Sequence, residues 1–225
     1  MYTFLLLFSA CLGSFSSACI YRHIHNEDFI TDRSRCPHCH HTLAWWQLFP
    51  IISYVLLKGK CYYCHKRISY VYPLNECLHM LLFVIIFAFT HDYPTSLLWG
   101  IYSSMCLNLS IIDSKTQLVP TSLLLILLIV IVSIHHPTME TISLACFTFS
   151  ILCLLYLFNK HSMGFGDVLY ITIHSMLLTP SKLCKAIFIS CILAICFLLS
   201  KKRNQFAPIP FIPFLTIGFC ILLMH

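Results

Sequence analysis

Charge is what this chain has least of. Only 10% of its 225 residues are Asp, Glu, Lys or Arg, and only eight are acidic. Soluble domains carry about 25% charged residues, so a water-soluble globular fold is excluded. No internal repeat and no low-complexity linker is apparent, which argues against a repeat array. The opening Met1-Tyr2-Thr3 lacks the positive charge that begins a secretory signal peptide, so the first apolar run reads as a retained helix.

Apolar residues fill the space that charge leaves. They make up 59% of the chain, and the mean hydropathy is +0.84. A bilayer crossing takes roughly 20 mostly apolar residues. Eight candidate spans follow, at about 1–20, 77–91, 96–113, 118–135, 140–158, 167–180, 184–200 and 207–224. The sixth is short and holds His174. The expected fold is an all-α polytopic membrane protein with about eight transmembrane helices. Only residues 21–76 leave room for an extramembrane domain. The expected organisation is a first helix at 1–20, a loop domain at 21–76 and a membrane domain at 77–225. The last span opens Ala207-Pro208-Ile209-Pro210-Phe211-Ile212-Pro213. Three prolines predict an irregular entry, tolerable only where backbone packs on protein or lines a wet cavity.

Positive charge orients these spans. Arg22, Arg33, Arg35, Lys58, Lys60, Lys66 and Arg67 all fall in the long loop, which the positive-inside rule places in the cytoplasm. Alternation then puts Lys115, Lys160, Lys201, Lys202 and Arg203 inside too, leaving only Lys182 and Lys185 outside. Both termini are expected outside. Orientation explains the basic loop more simply than nucleic-acid binding does, and no direct nucleic-acid partner is expected.

Two aspartates stand out against this background. Asp113 follows the apolar run from Leu97 to Ile112, and Asp167 closes Gly164-Phe165-Gly166-Asp167. A carboxylate at the centre of a spanning helix costs about 2.5–3.5 kcal/mol on insertion scales, so such residues are usually functional. The third expected span runs inward and the sixth outward, so both aspartates lie at one depth near the cytoplasmic face. They suggest an acid/base pair. Gly164 and Gly166 lack side chains and would admit a second backbone beside Asp167, which suits an extended peptide substrate. The plainer reading of Asp167 is a helix N-terminal cap, where negative charge is favoured. Asp113, at the far end of its own helix, gains nothing from that dipole.

Ten of the fourteen cysteines are scattered in or beside apolar spans and read as small hydrophobes. The other four form Cys36-Pro-His-Cys39 and Cys61-Tyr-Tyr-Cys64. Two C-x2-C knuckles can turn four thiolates toward one tetrahedral zinc ion. Disulfides are disfavoured in a cytoplasmic loop, and paired knuckles favour metal over a redox motif. The four thiolates fill the site, so His38, His40, His41 and His65 are read as surface residues and the zinc as structural. Metal binding would supply much of the folding free energy of this small cytoplasmic loop domain.

The motifs together resemble the type IV prepilin peptidases, or type IV leader peptidases. Gly13-Ser14-Phe15 with Ile20-Tyr21-Arg22 is similar to the family's opening. Arg33-Ser34-Arg35-Cys36-Pro37-His38-Cys39 and Gly59-Lys60-Cys61 are similar to its cysteine knuckles. Tyr72-Pro73-Leu74 and Glu76 resemble the lead into its second span. Asp113 through Val119-Pro120 resembles its first aspartate segment, and Met163-Gly164-Phe165-Gly166-Asp167 its second. Pro210-Phe211-Ile212-Pro213-Phe214 is similar to its C-terminal signature. Ser17, His23-Ile24, Leu169 and Ile212 depart from the family's usual residues, without removing a carboxylate or a cysteine of either pattern.

The resemblance implies a GxGD membrane aspartic endopeptidase with eight spans, in the bacterial cytoplasmic membrane. Asp113 and Asp167 would be catalytic. Its substrates would be type IV prepilins or pilin-like proteins of competence and secretion systems, cut at the cytoplasmic face. Some members also methylate the new N-terminus with S-adenosylmethionine, an activity the resemblance leaves open here. The rival readings are an ion-coupled carrier, which mid-membrane aspartates would suit better, and a non-enzymatic membrane scaffold with a zinc loop. An inactive relative of the family is disfavoured by the intact aspartate segments.

Overall fold

The computed structural model describes residues 2–25, 33–90, 92–158, 163–200 and 209–223. Lys160, Lys201, Lys202, Arg203, Ala207 and Pro208, used above for orientation and for the last span's entry, lie outside the described residues. Helix is the only extended regular structure among them: α1 (Tyr2–His25), α2 (Ile52–Leu56), α3 (Val71–Thr90), α4 (Tyr93–Thr116), α5 (Thr121–Ile134), α6 (Met139–Phe158), α7 (Phe165–His174), α8 (Pro180–Ser200) and α9 (Ile212–Leu223). A short 3-10 turn, Trp45–Leu48, precedes α2. In hydrocarbon a backbone must satisfy its own polar groups, and a helix does so within one segment. Hydroxyl side chains follow the same rule. Those of Ser17, Thr90, Ser110, Thr172 and Thr216 each donate to the carbonyl four residues back.

Five helices are long and apolar enough to cross a membrane: Thr3–His25, Val71–Thr90, Tyr93–Thr116, Met139–Phe158 and Pro180–Ser200. The chain is therefore an all-α, multi-pass membrane protein. The fourth, sixth and eighth expected spans are also helices, α5, α7 and α9, but of 14, 10 and 12 residues. At about 1.5 Å per residue they fall short of a roughly 30 Å hydrocarbon core. Other boundaries move as well. α1 continues to His25 and α3 begins at Val71, so Tyr21 and Glu76 sit on helices rather than in the loop. α4 runs past Asp113 to Thr116, and α7 ends at His174 rather than near residue 180.

The chain divides into two compact units, Met1–Ser104 and Met105–His225. In the first, α1 packs on α3 where Gly13 faces the Glu76 Cα; a Cβ at Gly13 would lie 2.8 Å from it. The Asn75 amide locks that crossing, donating to the Gly13 carbonyl (3.2 Å) and the Ser17 hydroxyl (2.9 Å). In the second unit α8 and α9 approach closely at Gly218, where a side chain would strike Ser190 and Ala186. Small residues at such contacts are how membrane helices pack without a hydrophobic drive between them.

Candidate functional site

The loop builds its cysteine cluster from two copies of one knuckle, 25 residues apart, and the two C-x2-C spacings read in the sequence share one backbone turn. Each copy is flanked by an antiparallel bridge, Arg35 with Thr42 and Lys60 with Arg67. The Cys36 and Cys61 N–H groups donate to the His41 and Lys66 carbonyls (3.0 and 2.9 Å). His40 and His65, each just after the second cysteine of its knuckle, take positive φ (55° and 56°). That conformation is uncommon outside glycine, with His among the residues enriched in it. These two histidines thus shape the turns, and with His38 and His41 they are exposed.

The four thiols of Cys36, Cys39, Cys61 and Cys64 lie within 4.8 Å of one another, with the Cys36 and Cys64 sulfurs 3.9 Å apart. Tetrahedral Zn–S bonds of about 2.3 Å place sulfurs about 3.8 Å apart, so the cluster can hold a metal of that size. Burial works against the Cys61 thiolate, but the Cys64 and Tyr63 backbone N–H groups and the neighbouring Cys36 and Cys64 thiols outweigh it, bringing its pKa down to about 7. A thiolate is the form that binds metal.

Also in the first unit, a cavity of about 320 Å³ is lined by Ser14, Tyr21, Arg22, Arg35, Tyr54 and Glu76 among others. Glu76 is buried and accepts the Ile51 N–H at 2.7 Å. The sequence offered Glu76 only as part of a motif. Its partner, 25 positions away, is a contact that only the folded chain reveals.

The second unit holds both aspartates, Asp113 on α4 and Asp167 on α7, within electrostatic reach of one another. Asp113 is 5% exposed, inside the last turn of α4. Its Oδ2 accepts the Ile212 N–H at 3.1 Å, and the carboxylate also accepts from Phe211. Asp113 still gains nothing from the end of its own helix, but it meets the start of another. It caps the start of α9, which the Pro210-to-Pro213 stretch delivers, rather than its own helix. The irregular entry expected there is seen at Ile209, Pro210 and Phe211, which precede α9 without helical structure.

Asp167 is half-buried in the first turn of α7, and its carboxylate accepts the Gly164 N–H. This is one half of a capping box, the third helical residue reaching back to the cap. The two glycines differ. A Cβ at Gly164 would lie 3.3 Å from the Asp167 carboxylate, in an otherwise exposed position. At Gly166 it would lie 2.8 Å from the Val119 side chain, so the chain itself occupies the space that Gly166 leaves.

One turn below the pair sits a hydroxyl junction that the sequence did not indicate. Thr216 Oγ1 on α9 meets Ser110 Oγ on α4 (2.9 Å) and the Tyr170 hydroxyl on α7 (2.8 Å). Thr216 in turn donates to the Ile212 carbonyl (2.9 Å). Ser110 and Tyr170 each stand three residues from an aspartate. Their helical spacing was legible, but the convergence of three helices was not.

Among known proteins, residues 7–90 match the Bacterial Peptidase A24 N-terminal domain, and residues 100–199 match the Type IV leader peptidase family. The prepilin leader peptidase/N-methyltransferase of Pseudomonas aeruginosa is 30% identical over 216 residues, covering 88% of this chain and 73% of that protein. The chain belongs to the type IV leader peptidase family. The first match contains the four clustered cysteines and Glu76, and the second contains both aspartates. The like-named proteins of Vibrio cholerae and Myxococcus xanthus are 36% and 34% identical over 54% and 53% of this chain. Those matches span about half of the Vibrio protein's length (53%) and 36% of the Myxococcus protein's. No solved structure matches.

Proposed function

We propose that the chain is a membrane-embedded aspartic endopeptidase that removes the leader from type IV prepilins or pilin-like proteins at the cytoplasmic face. The observation that carries this reading is the pairing of Asp113 and Asp167 within mutual electrostatic reach in the family's own domain. Like charges this close cannot both ionise cheaply, so the dyad holds one proton and titrates as a unit. The charged member acts as general base on a water. The protonated member polarises the scissile carbonyl or protonates the leaving amine. Backbone N–H groups at α9 hold Asp113 in place and the Gly164 N–H holds Asp167, which fixes the acid/base geometry before substrate arrives. Gly164, bare and exposed beside the Asp167 carboxylate, leaves room for an extended backbone. Gly166 serves that role indirectly, letting Val119 support the turn.

In this reading all eight apolar helices lie in the membrane, the first ahead of the loop domain and the other seven in the peptidase domain, with the loop domain facing the cytoplasm. Zinc held by Cys36, Cys39, Cys61 and Cys64 is structural, because four thiolates leave no open position for water. Methyl transfer is a second reading. The relatives' names include it, and the cavity beside Glu76 is large enough for a small molecule. Glu76, Arg22 and the loop tyrosines would hold S-adenosylmethionine there, the methyl donor.

The test is cleavage of a prepilin co-expressed with wild type, Asp113→Asn or Asp167→Asn, read by the mass of the product N-terminus. Each variant should accumulate in the membrane at normal levels and leave the substrate uncut. Normal processing by either one would sink the dyad and return the scaffold and carrier readings. An added methyl on the wild-type product would establish the second activity.

A further inference from the structure

The loop carries an apolar face that its own fold does not cover. Trp45 is 73% exposed, and on α2 Ile52, Val55 and Leu56 are 55%, 66% and 70% exposed. The spacing 52, 55, 56 puts the last three on one side of α2. Large apolar side chains grouped on a protein surface mark a site of contact with a partner or a membrane.

We propose that this face seats in the interfacial layer of the bilayer that α1 and α3 cross, docking the cysteine loop on the membrane surface. Three observations select lipid as the occupant. The first is depth. The Ile51 N–H, at the start of α2, is bonded at 2.7 Å to Glu76, the sixth residue of α3. That point is only about 7.5 Å along the helix from its first residue. The apolar segment is thereby pinned beside the entry of a membrane span rather than held out in water. Ile51 adopts a φ of 60° there, an outlier conformation for a β-branched residue, so the tether holds against local strain.

The second observation is charge. Residues 33–70 contain Arg33, Arg35, Lys58, Lys60, Lys66 and Arg67 and no Asp or Glu. A basic segment beside a span is attracted to anionic headgroups. The third is side-chain type. Tyr62, Tyr63 and Tyr70 are exposed together with Trp45, and Trp and Tyr are the residues that favour the membrane–water interface. An apolar face with Trp and Leu, flanked by Lys and Arg, is the composition of a segment that lies in the interface plane.

The full chain has three tryptophans, Trp45, Trp46 and Trp99. A Trp46→Phe, Trp99→Phe protein therefore reports from Trp45 alone. It is reconstituted in vesicles of phosphatidylethanolamine and phosphatidylglycerol, with bromine on the acyl chains either near the headgroup or near the chain end. The expected result is blue-shifted emission, with most of it lost to the headgroup-proximal bromines. Water-like emission that no bromolipid quenches overturns the proposal and leaves the face to a protein partner. Maximal quenching at the chain ends overturns it too, because the segment would then lie inside the hydrocarbon. Bound zinc, compared with wild type, checks that the loop is folded. Should Trp46→Phe cost the metal, the single Trp99→Phe protein, with both loop indoles, gives the same reading. The proposal needs only the spans α1 and α3, so it stands or falls separately from the peptidase reading.

Discussion

At the scale of single residues, the bare position at Gly166 is set by Val119. A Cβ placed there would lie 2.8 Å from both the Val119 Cβ and Cγ2. Gly166→Ala should therefore destabilise by about 1–3 kcal/mol, the usual range for overpacking, and Val119→Ala in the same chain should restore part of the loss, because it removes the Cγ2 contact and leaves the Cβ one. Thermal unfolding of the purified protein in detergent measures both. If Gly166→Ala alone unfolds like wild type, the turn is looser than the structure has it. The hydroxyl junction offers a second test. Tyr170→Phe and Thr216→Val each remove one partner of a 2.8 Å bond. Hydrogen bonds between membrane helices average about 0.6 kcal/mol, so a double-mutant cycle in the same unfolding assay should return a coupling of that order. Both aspartates were visible in sequence because a carboxylate is conspicuous in an apolar run. Thr216 was not, since a hydroxyl in such a run satisfies itself on its own helix and sends no distinct signal.

At the scale of elements, the cysteine loop and the short helices behave differently. The two knuckles could be read from spacing alone, because C-x2-C forces both thiols to one side of a tight turn. Metal analysis of the purified chain should give about one zinc per molecule. Cys36→Ser with Cys61→Ser should lose it and open residues 33–70 to protease, since a small loop without a core depends on its metal. Cys77→Ser, outside the cluster, should keep the zinc. Unchanged zinc in the double variant would refute the site. The short helices resisted such reading. α7 stops at His174, where the sequence remains apolar through Leu178. His174 and Ser175 are wholly buried there, and the His174 ring stacks on Phe219 at 4.4 Å. Packing against α9, not hydropathy, determines what surrounds that end.

At the scale of the whole molecule, the proposed eight-span alternation predicts a definite sidedness. A reporter inserted after Lys182 should be accessible only from outside the cell, and one inserted after Lys66 only from within. Matching accessibility of the two sites would break the alternation. Composition determined the class of this protein by itself. A chain with so little charge and so many apolar runs can satisfy its backbone in a membrane only as helices. Local spacing determined the four-cysteine cluster, because its ligands are paired within two turns of chain. The carboxylate pair was different. Charge bias could bring Asp113 and Asp167 to one depth, but depth is one coordinate of three. Their approach was decided by tertiary packing: α9 presents its first N–H groups to Asp113, Val119 packs on Gly166, and Thr216 joins α4, α7 and α9. Those contacts are made by single hydroxyls and bare backbone across long sequence separations, where no periodicity records them.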